Sequence, residues 1–247
     1  MTRKHESSHY DAVIIGARPA GAATAMLLAR AGARVMLVDR QMPGTDTVST
    51  HAMLRGAVVL LARWGLLGTL AEANTPWVRR TTSNYQDTTV AIDLKPESGI
   101  EGLMAPRRYV LDRVLAEAAV EAGAHARFGS TFKEICTGND GRVTGVVLQH
   151  PGGKLERVMA GIVIGADGRL SNVAMQVGAE TYRTGRYASA TVYGYVGGIP
   201  NAGYRWIFRE GLSAGAIPTT GGAHCVFASV RPDEHRKVFG DDPMAAI

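Results

Sequence analysis

Apolar patterning begins at Tyr10. Val13, Ile14 and Ile15 form a short unbroken apolar run, the pattern of a strand buried on both faces of a parallel sheet. Gly16 then marks a tight turn. Pro19 stands where a first-turn proline sacrifices no helical hydrogen bond. Ala22, Ala25, Met26 and Ala29 recur at helical spacing, with Gly32 placed to close that helix as its left-handed cap. Val35 to Val38 make a second buried run that ends on Asp39. Tyr10 to Arg40 therefore reads as strand, turn, helix and strand, with an acid closing the second strand.

Arg40 to Thr50 is a polar loop, with His51 at its end as a surface or helix-cap residue. Leu54 to Trp64 has an amphipathic pattern, Gly65 breaks it, and Leu66 to Ala73 suggests a second short helix. The β-branched runs of Val78 to Leu94, around a Gln86-Asp87 turn, predict a hairpin or an edge excursion from the main sheet. In MAPRRYVLDRVLAEAAVEAGA, Leu111, Val114, Leu115, Ala118 and Ala122 are predicted to share one helical face, and Gly123 ends the helix.

A short strand follows from His125 to Gly129. Thr131 to Thr137, Arg142 to Gln149 and Leu155 to Ala160 are three extended pieces separated by Asn139-Asp140-Gly141 and Pro151-Gly152-Gly153. Both separators suit hairpin turns, so the pieces predict an antiparallel meander. Ile162 to Gly165 is expected as a further buried strand leading into GADGRLSNVA. From Ser189 onward, aromatic and glycine-rich runs predict a second, antiparallel sheet, and RPDEHRKVFGDDPMAAI starts a helical pattern.

Composition narrows the function classes. At 247 residues, with 46% apolar and 20% charged positions, the chain reads as a soluble globular protein of one domain or two small ones. A net charge of +5 suits an anionic ligand or a mildly basic surface. No arginine stripe with interleaved aromatics points to nucleic acid. Arg18, Arg30 and Arg34 interrupt the first apolar segment, so neither a signal peptide nor a stable membrane span is expected. Cys136 and Cys225 lie in no CxxC or zinc pattern and read as free thiols of a reducing cytoplasm; no metal site is expected. Residues 1–9 read as a disordered polar tail.

The chemistry concentrates in the first βαβ unit. A helix N-terminus offers unpaired N–H groups and partial positive charge to a pyrophosphate, while an acid after the second strand takes a ribose hydroxyl. Gly16 and Gly21 fit the glycine fingerprint, but Arg18 takes the place of its middle glycine. Its side chain could contact phosphate or point to solvent. A βαβ unit that binds nothing is the alternative.

The order of βαβ unit, RRYVLD helix, meander and GADGRLSNVA, over most of residues 10–230, resembles the FAD-dependent monooxygenases and reductases of the p-hydroxybenzoate hydroxylase fold, including geranylgeranyl-reductase-like proteins and flavin halogenases. The resemblance implies an α/β fold: a Rossmann-like parallel sheet for FAD and NAD(P), a three-stranded β-meander, and part of an antiparallel substrate domain. The expected division is 10–77 with 103–187 for FAD, and 78–102 with 188–247 for substrate.

By the same resemblance Gly16, Arg18, Pro19, Ala20 and Gly21 would lie at the pyrophosphate, Asp39 at the adenosine ribose, and Arg40 near the adenine. Arg108 would reach the cofactor, with Arg107 as the fallback and a solvated helix end as the alternative. Asp167 and Gly168 match the family's DG motif. Ala174 stands where its closing arginine is usual, which bears on nicotinamide binding. NADH or NADPH would reduce the flavin, for hydroxylation of a small organic substrate or, alternatively, reduction of a double bond. Tyr193, Tyr195, Tyr204, Trp206 and Phe208 would form a cavity wall or simply pack their sheet.

Relatives carry a later Gly-Asp motif at the ribityl chain; nothing after Val196 resembles it. The expectation is a chain truncated before the flavin-ring end is complete, and a catalytically silent flavin- or partner-binding remnant is the rival to an active enzyme. No residue declares itself as a catalytic acid or base, and oligomeric state is not readable.

Overall fold

The computed structural model describes residues 9–47 and 52–241. His51, the last positions of the predicted 40–50 loop, all but one residue of the predicted 1–9 tail and the end of the 231–247 segment lie outside them. In chain order the elements are β1 (His9–Ile15), α1 (Pro19–Arg30), β2 (Val35–Asp39), α2 (Arg55–Arg63), α3 (Leu67–Glu72), β3 (Arg80–Tyr85), β4 (Thr88–Asp93) and α4 (Arg108–Glu121). Then come β5 (His125–Phe128), β6 (Thr131–Thr137), β7 (Val143–Gln149), β8 (Leu155–Gly165), α5 (Asn172–Gln176), β9 (Ala190–Val196), β10 (Tyr204–Arg209), β11 (Leu212–Pro218), β12 (His224–Val230) and α6 (His235–Phe239).

The chain divides into two units, Met1–Thr47 with Arg108–Tyr182 and Val48–Arg107 with Arg183–Ile247. The first is built on a six-stranded sheet of order β5-β2-β1-β8-β7-β6. β5, β2, β1 and β8 run parallel, while β6 to β8 form an antiparallel meander. Its centre is the apolar run of the sequence: Val13, Ile14 and Leu37 are 0% exposed. Each such side chain contributes about 1.5–3 kcal/mol by leaving water. Met36, Val38, Val146, Leu148 and Val158 extend the core beneath the meander.

Two details of this unit depart from expectation. Ile162 to Gly165 is no separate strand: β8 is continuous, pairing with β7 over Leu155–Met159 and with β1 over Met159–Gly165. This half is not buried either, since Ile162 is 55% exposed. The reason is topological, because among the described residues no strand pairs with the far edge of Gly161–Gly165. Leu111 of α4 and Ala122 just past its end are only half-buried, whereas Asp112 is buried with Val110, Val114, Leu115 and Ala118. Helices α1 and α4 pack together, so the covered face of α4 is broader than one apolar stripe.

The second unit carries a six-stranded sheet of order β4-β3-β10-β11-β12-β9. The predicted hairpin is β3-β4; it joins this sheet, parallel to β10. Among the described residues, 52–77, 103–107 and 183–187, expected with the first unit, cluster with this one. Val58 of α2, Leu103 and Ala105 share a core with Val78, Ile100, Tyr204 and Ile217, which holds them here. Tyr204, Trp206 and Phe208 of β10 each make a packing or hydrogen-bond contact within this unit. Tyr204 is buried and its hydroxyl donates to the Met104 carbonyl at 2.8 Å. Trp206 Nε1 donates to Thr81 Oγ1 at 3.2 Å, and Phe208 stacks on Tyr85 at 5.0 Å. Cys136 and Cys225 are both buried free thiols.

Candidate functional site

The site grows from backbone crowding at the end of β1. Gly16 has φ 103, and a Cβ there would lie 2.3 Å from the Ala166 carbonyl oxygen. A Cβ on Gly21 would lie 1.8 Å from the Gly16 carbonyl oxygen. Only glycines let the turn, the start of α1 and the segment after β8 meet this closely. The result is a shallow cradle of backbone.

Pro19 begins α1, and Ala22 N–H makes the first helical bond, to the Arg18 carbonyl at 2.9 Å. The amides of Ala20 and Gly21 precede that bond. No side chain caps this end and no acid lies in its first turn, so the helix itself supplies no charge against its positive pole. Arg18 itself has φ −77 and ψ −179, ordinary extended backbone that any residue adopts. Conformation therefore does not require glycine at this position.

Asp39, at the end of β2, closes the cradle. Its Oδ2 accepts from the Ala17 N–H at 2.7 Å and its Oδ1 from the Gln41 N–H at 2.8 Å. A carboxylate has about four acceptor positions, so both oxygens retain capacity for further donors. Arg40 is exposed. A small pocket beside these groups is lined by Ala17, Arg18, Asp39, Gln41, Thr45 and Asp112.

Asp112 is the residue that sequence reasoning missed. It is 3% exposed and binds two guanidiniums. Arg108 Nε donates to its Oδ1 at 2.8 Å and Arg108 Nη2 to its Oδ2 at 3.1 Å. Arg18 Nη1 donates to the same Oδ2. Arg18 also reaches the Thr45 carbonyl at 3.0 Å and Gln41 Oε1 at 2.6 Å. A signal was available: an acid four residues after Arg108, flanked on both sides by the apolar positions of α4.

The neighbouring arginines part company. Arg108 begins α4 in the first unit. Arg107 belongs to the second, where its guanidinium lies 3.4 Å over the Tyr195 ring and its N–H donates to Thr220 Oγ1 at 3.1 Å. Arg108 is thus the arginine that shares a unit with the cradle.

Asp167 and Gly168 follow β8. Asp167 Oδ1 accepts from the Ser171 hydroxyl at 2.5 Å and its Oδ2 from the Val173 N–H at 3.2 Å. Ser171 Oγ accepts from the Ala174 N–H at 3.0 Å, so these two side chains together fix the start of α5. The carboxylate of the DG pair is therefore engaged in ordering the loop that leaves β8, beside the Ala166 backbone that touches Gly16. Among the described residues no cluster of three or more His, Cys, Asp or Glu side chains suits a metal ion, and no helix is long and apolar enough to cross a membrane.

Digeranylgeranylglycerophospholipid reductase 2 of Methanothermobacter thermautotrophicus is 30% identical over 219 residues, covering 82% of this chain and 54% of that protein. Aklavinone 12-hydroxylase RdmE of Streptomyces purpurascens is 30% identical over 223 residues, 82% of this chain and 40% of that one. The chain spans about half the length of the curated relatives it matches.

In fold it is similar to Pseudomonas aeruginosa PqsL in complex with 2-aminobenzoylacetate, with a TM-score of 0.80 at 19% identity over 95% of this chain and 64% of that one. The myxobacterial halogenase CndH gives 0.77 at 20% identity, over 97% and 56%. The p-hydroxybenzoate hydroxylase fold, with its two sheets, is therefore the fold of this chain. Residues 9–212 match the model of the FAD binding domain, so the chain belongs to the FAD binding domain family.

Proposed function

We propose that the first unit holds the ADP half of FAD in an oxidoreductase that hydroxylates a small organic substrate, with NADH or NADPH as electron donor. The observation that carries the reading is the juxtaposition of Asp39 with the Gly16 turn and the uncapped start of α1. That arrangement supplies acceptors for ribose and donors for phosphate within one cradle.

The residues fit the group. Gly16 and Gly21 let the turn, the start of α1 and the segment after β8 close on one another where a Cβ would strike backbone carbonyl oxygen, and that closure gathers backbone amides at the place of the pyrophosphate. The Ala20 and Gly21 amides and the pole of α1 face its charge. Asp39, already oriented by Ala17 and Gln41, accepts the adenosine ribose hydroxyls. Arg40 lies on the adenine side. Arg108, held in place by Asp112, presents a guanidinium to phosphate, and Asp167 keeps the loop after β8 in register with Gly16. Held there by the glycine turn, Asp39 and Arg108, the flavin would supply the redox chemistry.

A second reading is reduction of a carbon–carbon double bond by the same flavin. It is favoured by the matches to digeranylgeranylglycerophospholipid reductases. One experiment separates them. The purified chain is loaded with FAD, reduced anaerobically with NADH or NADPH, and divided between oxygen with aromatic substrates and isoprenoid alkenes without oxygen. Hydroxylated product supports the first reading and saturated product the second. Bound FAD that neither nicotinamide reduces would refute both in favour of a silent flavin-holding chain.

A further inference from the structure

Arg18 is the one departure from the glycine fingerprint, and its side chain does not trail into solvent. It leaves the turn after β1 and joins two other parts of the first unit. One is the loop after β2, through the Thr45 carbonyl at 3.0 Å, Gln41 Oε1 at 2.6 Å and Thr45 Oγ1 at 3.3 Å. The other is α4, through the buried carboxylate of Asp112. The Thr45 hydroxyl also donates to Gln41 Oε1 at 3.3 Å, so the loop closes on itself around the guanidinium. Those same residues line the pocket beside Asp39.

We propose that Arg18 is a positioning residue that clasps the 41–45 loop against α4 and thereby shapes the adenosine end of the dinucleotide site. The inference rests on the FAD reading for its ligand, but the clasp itself is a property of the chain without ligand. Three observations carry it. The backbone at Arg18 is unstrained, so the side chain is present without conformational cost. Its forked donors meet acceptors from two elements at once, a geometry that lysine's single ammonium cannot reproduce. And Asp112, 4% exposed in its side chain, balances only one of the two guanidiniums upon it. The excess positive charge is left with Arg18 and Arg108, at the edge of a site for an anionic ligand.

The arrangement also explains how a fingerprint glycine can be dispensed with. The cradle's close approaches are made by Gly16 and Gly21. The middle position is then free to carry a side chain that turns away from the cradle, toward α4 and the loop. In place of a shorter approach to phosphate, the chain gains a cross-link at the ribose side.

The test compares wild type with Arg18→Gly, which restores the fingerprint, Arg18→Lys, which keeps the charge, and Gln41→Ala, which removes one loop contact and leaves the Asp112 pair intact. Two readouts are taken. One is the rate of trypsin cleavage after exposed Arg40, located by mass spectrometry in ligand-free protein. The other is affinity for FAD and for AMP by calorimetry. The proposal expects Arg18→Gly to speed cleavage after Arg40 at least tenfold and to weaken FAD and AMP alike by at least tenfold. Arg18→Lys should retain the salt dependence of FAD binding while its loop is cleaved nearly as fast as in Arg18→Gly. Gln41→Ala should give a smaller rise in cleavage with an unchanged thermal midpoint, which a general loss of stability would move.

Arg18→Gly that binds FAD as well as wild type with unchanged cleavage would overturn the clasp. So would Gln41→Ala cleaved no faster than wild type, even if Arg18→Gly fails to fold. Wild type that binds neither FAD nor AMP would sink the FAD reading alone, because the cleavage comparison stands without ligand.

Discussion

Asp112→Ala is the most revealing single perturbation of the first unit. The carboxylate side chain is 4% exposed and accepts two bonds from Arg108, at 2.8 and 3.1 Å, and one from Arg18. Removing one partner of a buried ion pair costs about 3–5 kcal/mol, because the charge left behind has lost its compensation. Here the stranded side chains are Arg108, 16% exposed, and Arg18, 27% exposed. Water reaches both in part, so the loss should sit near the lower end, about 3 kcal/mol.

The assay is native-state hydrogen exchange at the amides of Val13, Ile14 and Ile15, which lie in the core of this unit. A loss of about 3 kcal/mol means exchange faster by roughly a hundredfold at these positions. Replacing Arg18, Arg108 and Asp112 together by Leu or Met should recover at least half of that loss, since no charge is then stranded. Exchange in Asp112→Ala within threefold of wild type would refute the reasoning. It would mean that the two guanidiniums find water or other partners at no cost.

Two further outcomes follow from the same coordinates. Gly21→Ala brings a Cβ within 1.8 Å of the Gly16 carbonyl oxygen, so the turn must open; a loss of about 3 kcal/mol is expected, with FAD affinity lost alongside, as measured by urea unfolding and titration. His224 is 4% exposed with Nδ1 unpartnered, and burial holds its pKa below the ordinary 6.5. A lowered histidine pKa means that the unfolded chain takes up the proton first, so stability should fall as pH drops below 6.5, by at most about 1.4 kcal/mol per unit. All three tryptophans, Trp64, Trp77 and Trp206, lie in the second unit with His224, so fluorescence-monitored urea midpoints at pH 7 and pH 5 read it, and His224→Gln should flatten the difference.

Much of this molecule was legible in the sequence because the signals were local. The run Val13 to Ile15, the proline opening α1 and the acid ending β2 each specify their element within a few residues. So do the turn pairs that separate β6, β7 and β8. What escaped was set by distant contacts. Asp112 looked like one more polar residue on a helix, because Arg18, 94 positions away, is what makes it a junction.

Arg18 was unexplained for the same reason. The far half of β8 read as a buried strand from its composition, yet burial depends on neighbours, and Gly161–Gly165 is paired on one edge. Likewise α2 and α3 belong to the second unit, where Val58 of α2 meets Val78 and Tyr204. A periodic pattern says that a face is covered but not by what.

We infer that FAD binds this chain by its ADP half, at Gly16, Gly21 and Asp39. Calorimetric titration of the purified chain with FAD and with ADP, beside Asp39→Ala, tests it most directly. One site that takes both ligands, a rise in thermal midpoint with either, and at least tenfold weaker binding of both by Asp39→Ala are expected. Wild type that binds neither ligand at millimolar concentration, or an Asp39→Ala protein that binds both as tightly as wild type, would contradict it.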